Sequence, residues 1–164
     1  MNNPNITTGS ENFRAYPAKT FLGTQGAFAY HFLATLDHEQ LPALTAIVEE
    51  RFPGQLLTTD STKRNANQEA LAISFREEFC AVLIEATTNS IPLLRSIDHL
   101  FKAPRAPWEA FPDMKPIEAV LSKQGSLEFW WDHIWLPFWE SCTASEKEQY
   151  LLSATSEWRE VLSQ

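Results

Sequence analysis

The chain has 164 residues, 44% hydrophobic and 21% charged, with 21 acidic side chains against 13 basic ones and a net charge of −8. This is the size and composition of one folded domain, which excludes a disordered chain with too little apolar surface to form a core. The acidic balance repels phosphate backbones, so no direct nucleic-acid ligand is expected, and no run nears the ~18 apolar residues of a membrane-spanning helix.

Residues 1–13 lack a basic stretch followed by an apolar one and do not read as a secretory signal. Cys80 and Cys142 are too few and too far apart for a disulfide framework, which predicts reduced thiols in a cytoplasmic protein. Charge is unevenly spread. Residues 106–164 hold ten acids and four bases, so this last third carries −6 of the −8.

In chain order, residues 1–20 are polar and read as a flexible or loosely draped arm. Residues 27–37 follow as a strand, with Phe28, Tyr30, Phe32 and Ala34 on its buried face. Residues 37–54 form a helix capped by Asp37, with Leu41, Leu44, Ile47, Val48 and Phe52 on the apolar side and Pro42 in its first turn. A short strand is expected over 55–60, then a polar loop over 61–68.

Residues 69–86 read as a hairpin rather than a helix. Leu71, Ile73 and Phe75 share a face, Arg76, Glu77 and Glu78 turn the chain, and residues 79–86 return. A short helix follows, capped by Asn89 or Ser90. Residues 103–116 contain four prolines and read as an extended crossover, the seam within a single domain of residues 21–164. One side of the seam (21–102) holds the sheet, and the other (117–164) is helical. The helical part comprises residues 116–123, the Trp-rich segment 126–142, and a last helix starting at the capping box Ser145-x-x-Glu148. The fold class is α+β: a small, mainly antiparallel sheet built strand-helix-strand-hairpin-helix, followed by a helical C-terminal third.

Four of six tryptophans fall within residues 126–142. Trp131, Trp135 and Trp139 recur every four residues, and Leu127, Trp130, Ile134 and Phe138 form an adjoining stripe. Pro137 lacks an N–H and collides with the His133 carbonyl, so the helix is expected to kink or restart near Leu136. Packing against the sheet is the ordinary fate of such rings. Two stripes are nonetheless more than one docked helix buries, so some of the four indoles are expected at the surface. Exposed Trp131, Trp135 and Trp139 beside Glu128, Asp132 and Glu140 would make a partner-binding surface, with an aromatic anchor and an acidic rim.

No residue set predicts catalysis, a cofactor or a metal. Asp37-His38, Asp98-His99 and Asp132-His133 are adjacent pairs, which point about 100° apart on a helix and cannot bond directly. No His or Cys spacing suits a metal, and no phosphate-cradling loop or nucleophile elbow occurs. Cys80 lies in an apolar run and is expected to be buried, whereas Cys142 is expected at the surface. The function expected from these features is an acidic binding module of the immunity or antitoxin kind, a monomer or homodimer, that covers a basic protein such as a toxin or effector. The alternatives are an enzyme assembled from dispersed residues such as His31, His38 and Asp60, and a subunit that dimerises through the Trp segment.

Overall fold

Alternating apolar residues build the centre of the protein. In this computed structural model, which describes residues 13–54 and 57–164, they form β2 (Tyr30–Leu36), β4 (Ala70–Glu78) and β5 (Ala81–Thr88). With β1 (Thr20–Phe21) and β3 (Asp60–Arg64) they make one antiparallel sheet in the order β1-β2-β5-β4-β3. The register aligns Tyr30, Thr88, Leu71 and Lys63 in one row and Phe32, Ala86, Ile73 and Ser61 in the next. Opposed residues share a face. This face joins the core with α1 (Leu41–Arg51), through Leu44, Val48 and the following Phe52, and with α2 (Ile91–Ile97), through Leu93, Leu94 and Ile97. Ser90 starts α2 by accepting the Leu93 N–H.

The expected α+β class is what the structure shows, with corrections at particular elements. The strand anticipated over 55–60 is not there: Leu57, Thr58 and Thr59 lie outside any strand, and Gln55 and Leu56 lie outside the described residues. The strand is instead β3, on the stretch expected to be a loop, and its only buried residue is Lys63. The hairpin is present, but its turn is Phe79-Cys80, at φ +59° and +55°, rather than residues 76–78. Cys80 is therefore exposed, and Phe79 is the buried member. Phe28, expected inward, is 64% exposed because β2 begins two residues later.

Of the expected loose arm, residues 1–12 lie outside the described residues, and the remainder is fastened down. Tyr16 is 4% exposed, and its hydroxyl accepts the Thr35 N–H at 3.2 Å. Lys19 pairs with Asp98 at 2.5 Å.

The seam is not wholly extended, since it holds α3 (Pro107–Ala110); α4 (Pro116–Leu121), α5 (Ser126–Trp130), α6 (Leu136–Ser141), α7 (Ala144–Leu151) and α8 (Ser156–Leu162) follow. The last expected helix is thus two. Thr155 adopts an extended conformation and accepts the Trp158 N–H, restarting the helix as α8. The capping box is Thr143 with Glu146, two residues before the expected pair. Between α5 and α6, residues Trp131–Trp135 form a π-turn in which the Leu136 N–H reaches the Trp131 carbonyl. One extra residue widens the ladder, which relieves the collision that Pro137 would otherwise cause, and the α-helix restarts at Leu136.

Candidate functional site

Trp130, Trp131, Ile134, Trp135 and Phe138 share one broad side of this helical run. That side faces the core, where each is at most 8% exposed. Trp131 and Trp135, expected at the surface, are buried at 7% and 1%. Of the four indoles in this segment, Trp139 alone is half-exposed. The rings form a continuous stack, with centroids 4.5 Å apart for Trp131–Trp135 and 5.0 Å for Trp135–Trp139.

Distant aromatics complete the enclosure. Phe79 from the hairpin turn and Phe111 lie against Trp130. Tyr150 lies against Phe138 and Trp139, and its hydroxyl accepts the Trp135 Nε1–H at 3.2 Å. Burial pushes the Tyr150 pKa well above its ordinary value. Tyr16 closes the edge over Phe138.

The carboxylates expected as an acidic rim do not ring exposed indoles, since Trp131 and Trp135 are buried. Glu128, Asp132 and Glu140 are all exposed on the outer side of this helical run. They belong to a wider division of charge. Of the ten acids in residues 106–164, Glu109, Glu118 and Glu146 bend back to accept an N–H at the start of α3, α4 and α7. The other seven are exposed. Three of the four bases hold internal partners, two lysines half-buried over rings and an exposed arginine on backbone carbonyls. Lys123 sits 4.7 Å over the Trp131 ring, Lys147 sits 5.1 Å over Trp139, and Arg159 donates to the carbonyls of Leu151 and Leu152. Two lysines thus close over rings, and the exposed Lys115 and Arg159 are outnumbered by the exposed carboxylates.

A second feature lies on α4. Its Ala119 is buried, but Ile117, Val120 and Leu121 are 52%, 51% and 75% exposed. The helix packs against α8, whose Glu157 and Glu160 face solvent. The sequence carried a signal for this strip, because a six-residue helix with four apolar residues after its proline cannot turn them all one way.

The residues considered for a dispersed enzyme site are not brought together. His38 bonds Glu77 at 2.8 Å, and in the strand register Glu77 belongs to the core side of the sheet. His31 bonds Glu85 at 3.1 Å on the opposite face, which it shares with Asp60 beside a shallow concavity of about 350 Å³. The Asp-His neighbours turn to other partners, Asp37 to Arg105 and Asp98 to Lys19. Cys142, expected at the surface, is half-buried and donates to the Phe138 carbonyl. Burial, with Glu146 nearby, pushes its thiol pKa up. Among the described residues, no group of three or more His, Cys, Asp or Glu is placed to hold a metal, and no helix is long and apolar enough to cross a membrane. Compared with known proteins, the chain matches no family model, no curated protein and no solved structure.

Proposed function

We propose that this protein is a small acidic binding module of the immunity or antitoxin kind, acting in the cytoplasm. It covers a basic protein partner, a toxin or effector, with the outer face of its C-terminal helices. The observation that carries the reading is the division of charge in the last third, with Lys123, Lys147 and Arg159 turned onto the protein's own rings and carbonyls while seven carboxylates face outward. Such a surface raises the encounter rate with a basic partner and substitutes for an anionic substrate in that partner's cleft.

Glu128, Asp132 and Glu140 act as rim charges, with Trp139 reachable beneath Lys147. Trp131 and Trp135 do not touch the partner in this reading. They stiffen the helix from below, which lowers the ordering cost of binding. The apolar anchor passes to Ile117, Val120 and Leu121 on α4, beside the carboxylates of α8. No catalytic residue, cofactor, metal or nucleic acid enters the proposal.

Two variants test it, Glu128→Lys/Asp132→Lys/Glu140→Lys and Leu121→Asp. All four positions are solvent-exposed, so both proteins are expected to keep the wild-type circular dichroism. A basic protein that co-purifies with the wild type should bind the variants at least about tenfold more weakly, and its wild-type affinity should fall as salt shortens the screening length. If both folded variants keep the partner at wild-type affinity, the proposed surface is wrong.

A further inference from the structure

The outer edge of the sheet carries an arrangement that fits a second copy of the chain. β3 pairs with β4 on one side, and among the described residues no strand pairs with its other side. The ladder fixes which backbone groups face outward. The Asn65 N–H bonds the Glu69 carbonyl and the Phe75 N–H bonds the Thr59 carbonyl, so residues 59, 61, 63 and 65 turn toward β4. Asp60, Thr62 and Arg64 therefore direct their N–H and C=O groups to the open edge. Their three side chains also share one face, the row of Ser74, Ala72 and Ala70, and all three are exposed.

We propose that two copies join antiparallel at β3, around a twofold axis at Thr62, to make a continuous ten-stranded sheet. In that register Thr62 meets Thr62 of the second copy as a hydrogen-bonded pair. Asp60 meets Arg64, and Arg64 meets Asp60. The edge is thus self-complementary twice over. Its outward backbone groups fall in phase, and opposite charges lie directly across from each other at both ends of the contact. On the core side, Ser61 stands opposite Lys63, which brings no like charges together.

The Asp60 carbonyl already accepts from the Thr58 hydroxyl at 3.1 Å and keeps a second lone pair for the ladder. The pairing does not require either charged side chain to lack other partners. A displacement of two residues in either direction sets one end of the contact without a partner, so the charges select a single register. Five residues per copy make a small interface, and the dimer is accordingly weak and concentration-dependent. The contact uses no residue of the C-terminal third, so its test is independent of the partner-binding face.

Sedimentation equilibrium on the full chain, from micromolar to near-millimolar protein, should show a reversible monomer–dimer equilibrium. Asp60→Arg and Arg64→Asp each place like charges opposite one another and should raise the dissociation constant by about tenfold. The double variant Asp60→Arg/Arg64→Asp restores opposite pairs with their signs exchanged, and it should recover wild-type association to within about threefold. Thr62→Pro removes the central outward N–H while leaving the bonds to β4, and it should abolish the dimer. Circular dichroism checks that each variant is folded.

Three outcomes overturn the proposal: a monomer at every concentration, a dimer indifferent to both single reversals, or a double variant no better than either single one. Loss of the dimer in Leu121→Asp with retention in Asp60→Arg would place the contact on α4 and overturn it as well.

Discussion

The hydroxyl of Tyr16 accepts the backbone N–H of Thr35 at 3.2 Å within the core, and burial pushes its pKa from 10.0 up to about 12. An unfolded tyrosine releases its proton near pH 10, whereas Tyr16 in the native state holds it to about pH 12. In that interval the unfolded chain has fewer protons than the native one, so stability is intact below about pH 10 and falls as pH rises toward 12. Tyr150 acts in the same direction, since burial is its leading cause too. Urea unfolding at about pH 8 and about pH 11 should reveal the loss, at roughly 1.4 kcal/mol for each unit by which Tyr16 is raised. Tyr16→Phe keeps the ring against Phe138 but orphans the Thr35 N–H. It should cost about 1 kcal/mol at the lower pH and make the alkaline decline shallower. An unchanged slope in Tyr16→Phe would assign the alkaline loss to other groups.

At the scale of elements, the hairpin of β4 and β5 was legible because Leu71, Ile73 and Phe75 alternate and β-branched Val82 and Ile84 follow. Its turn was not, because residues 76–78 are charged and Phe79-Cys80 is a poor match for a two-residue loop. Both turn residues sit at positive φ, where Asn-Gly or Gly is usual. The reason lies far along the chain. Phe79 fills a pocket between Phe111, Phe129 and Trp130, and that burial outweighs the backbone strain.

Cys80, exposed and held by no such packing, bears strain without compensation. Cys80→Gly is expected to stabilise the protein by about 0.5–1 kcal/mol, the left-handed penalty less the entropy of an added glycine, read as a higher denaturant midpoint. A lower midpoint would mean that the thiol contributes packing or that the turn is not strained. β3 was missed for the converse reason. A polar edge strand with solvent on one face carries almost no hydrophobic period, and only its register with Leu71 and Ile73 defines it. The Trp segment was legible as a helix with a fault at Pro137. That nearly all its rings are covered depends on Tyr16, Phe79, Phe111 and Tyr150, all outside the segment.

At the scale of the whole molecule, these same distant rings join what the prolines of residues 103–116 separate. The tip of the hairpin touches Trp130 through Phe79, Tyr16 links the Thr35 amide of β2 to Phe138, and the Trp131–Trp135 turn reaches β2 directly. Neither side of the seam buries its aromatic surface alone. The sheet would expose Phe79 and Leu83, and the helices would expose Trp130 and Phe138. The two sides should therefore unfold together.

Tryptophan emission reports mainly the helical side, since five of the six indoles follow residue 129, and far-ultraviolet dichroism reports both. In urea the two signals should give coincident midpoints and one m-value appropriate to 164 residues. Phe79→Ala removes the ring contacts to Phe129 and Trp130 across the boundary, with an expected cost of about 3–5 kcal/mol as for other buried phenylalanines. It should lower both midpoints equally if the coupling is as tight as the packing implies. A fluorescence transition that precedes the dichroism change in the wild type would show two separately folding units, with the aromatic contacts between them too weak to enforce one.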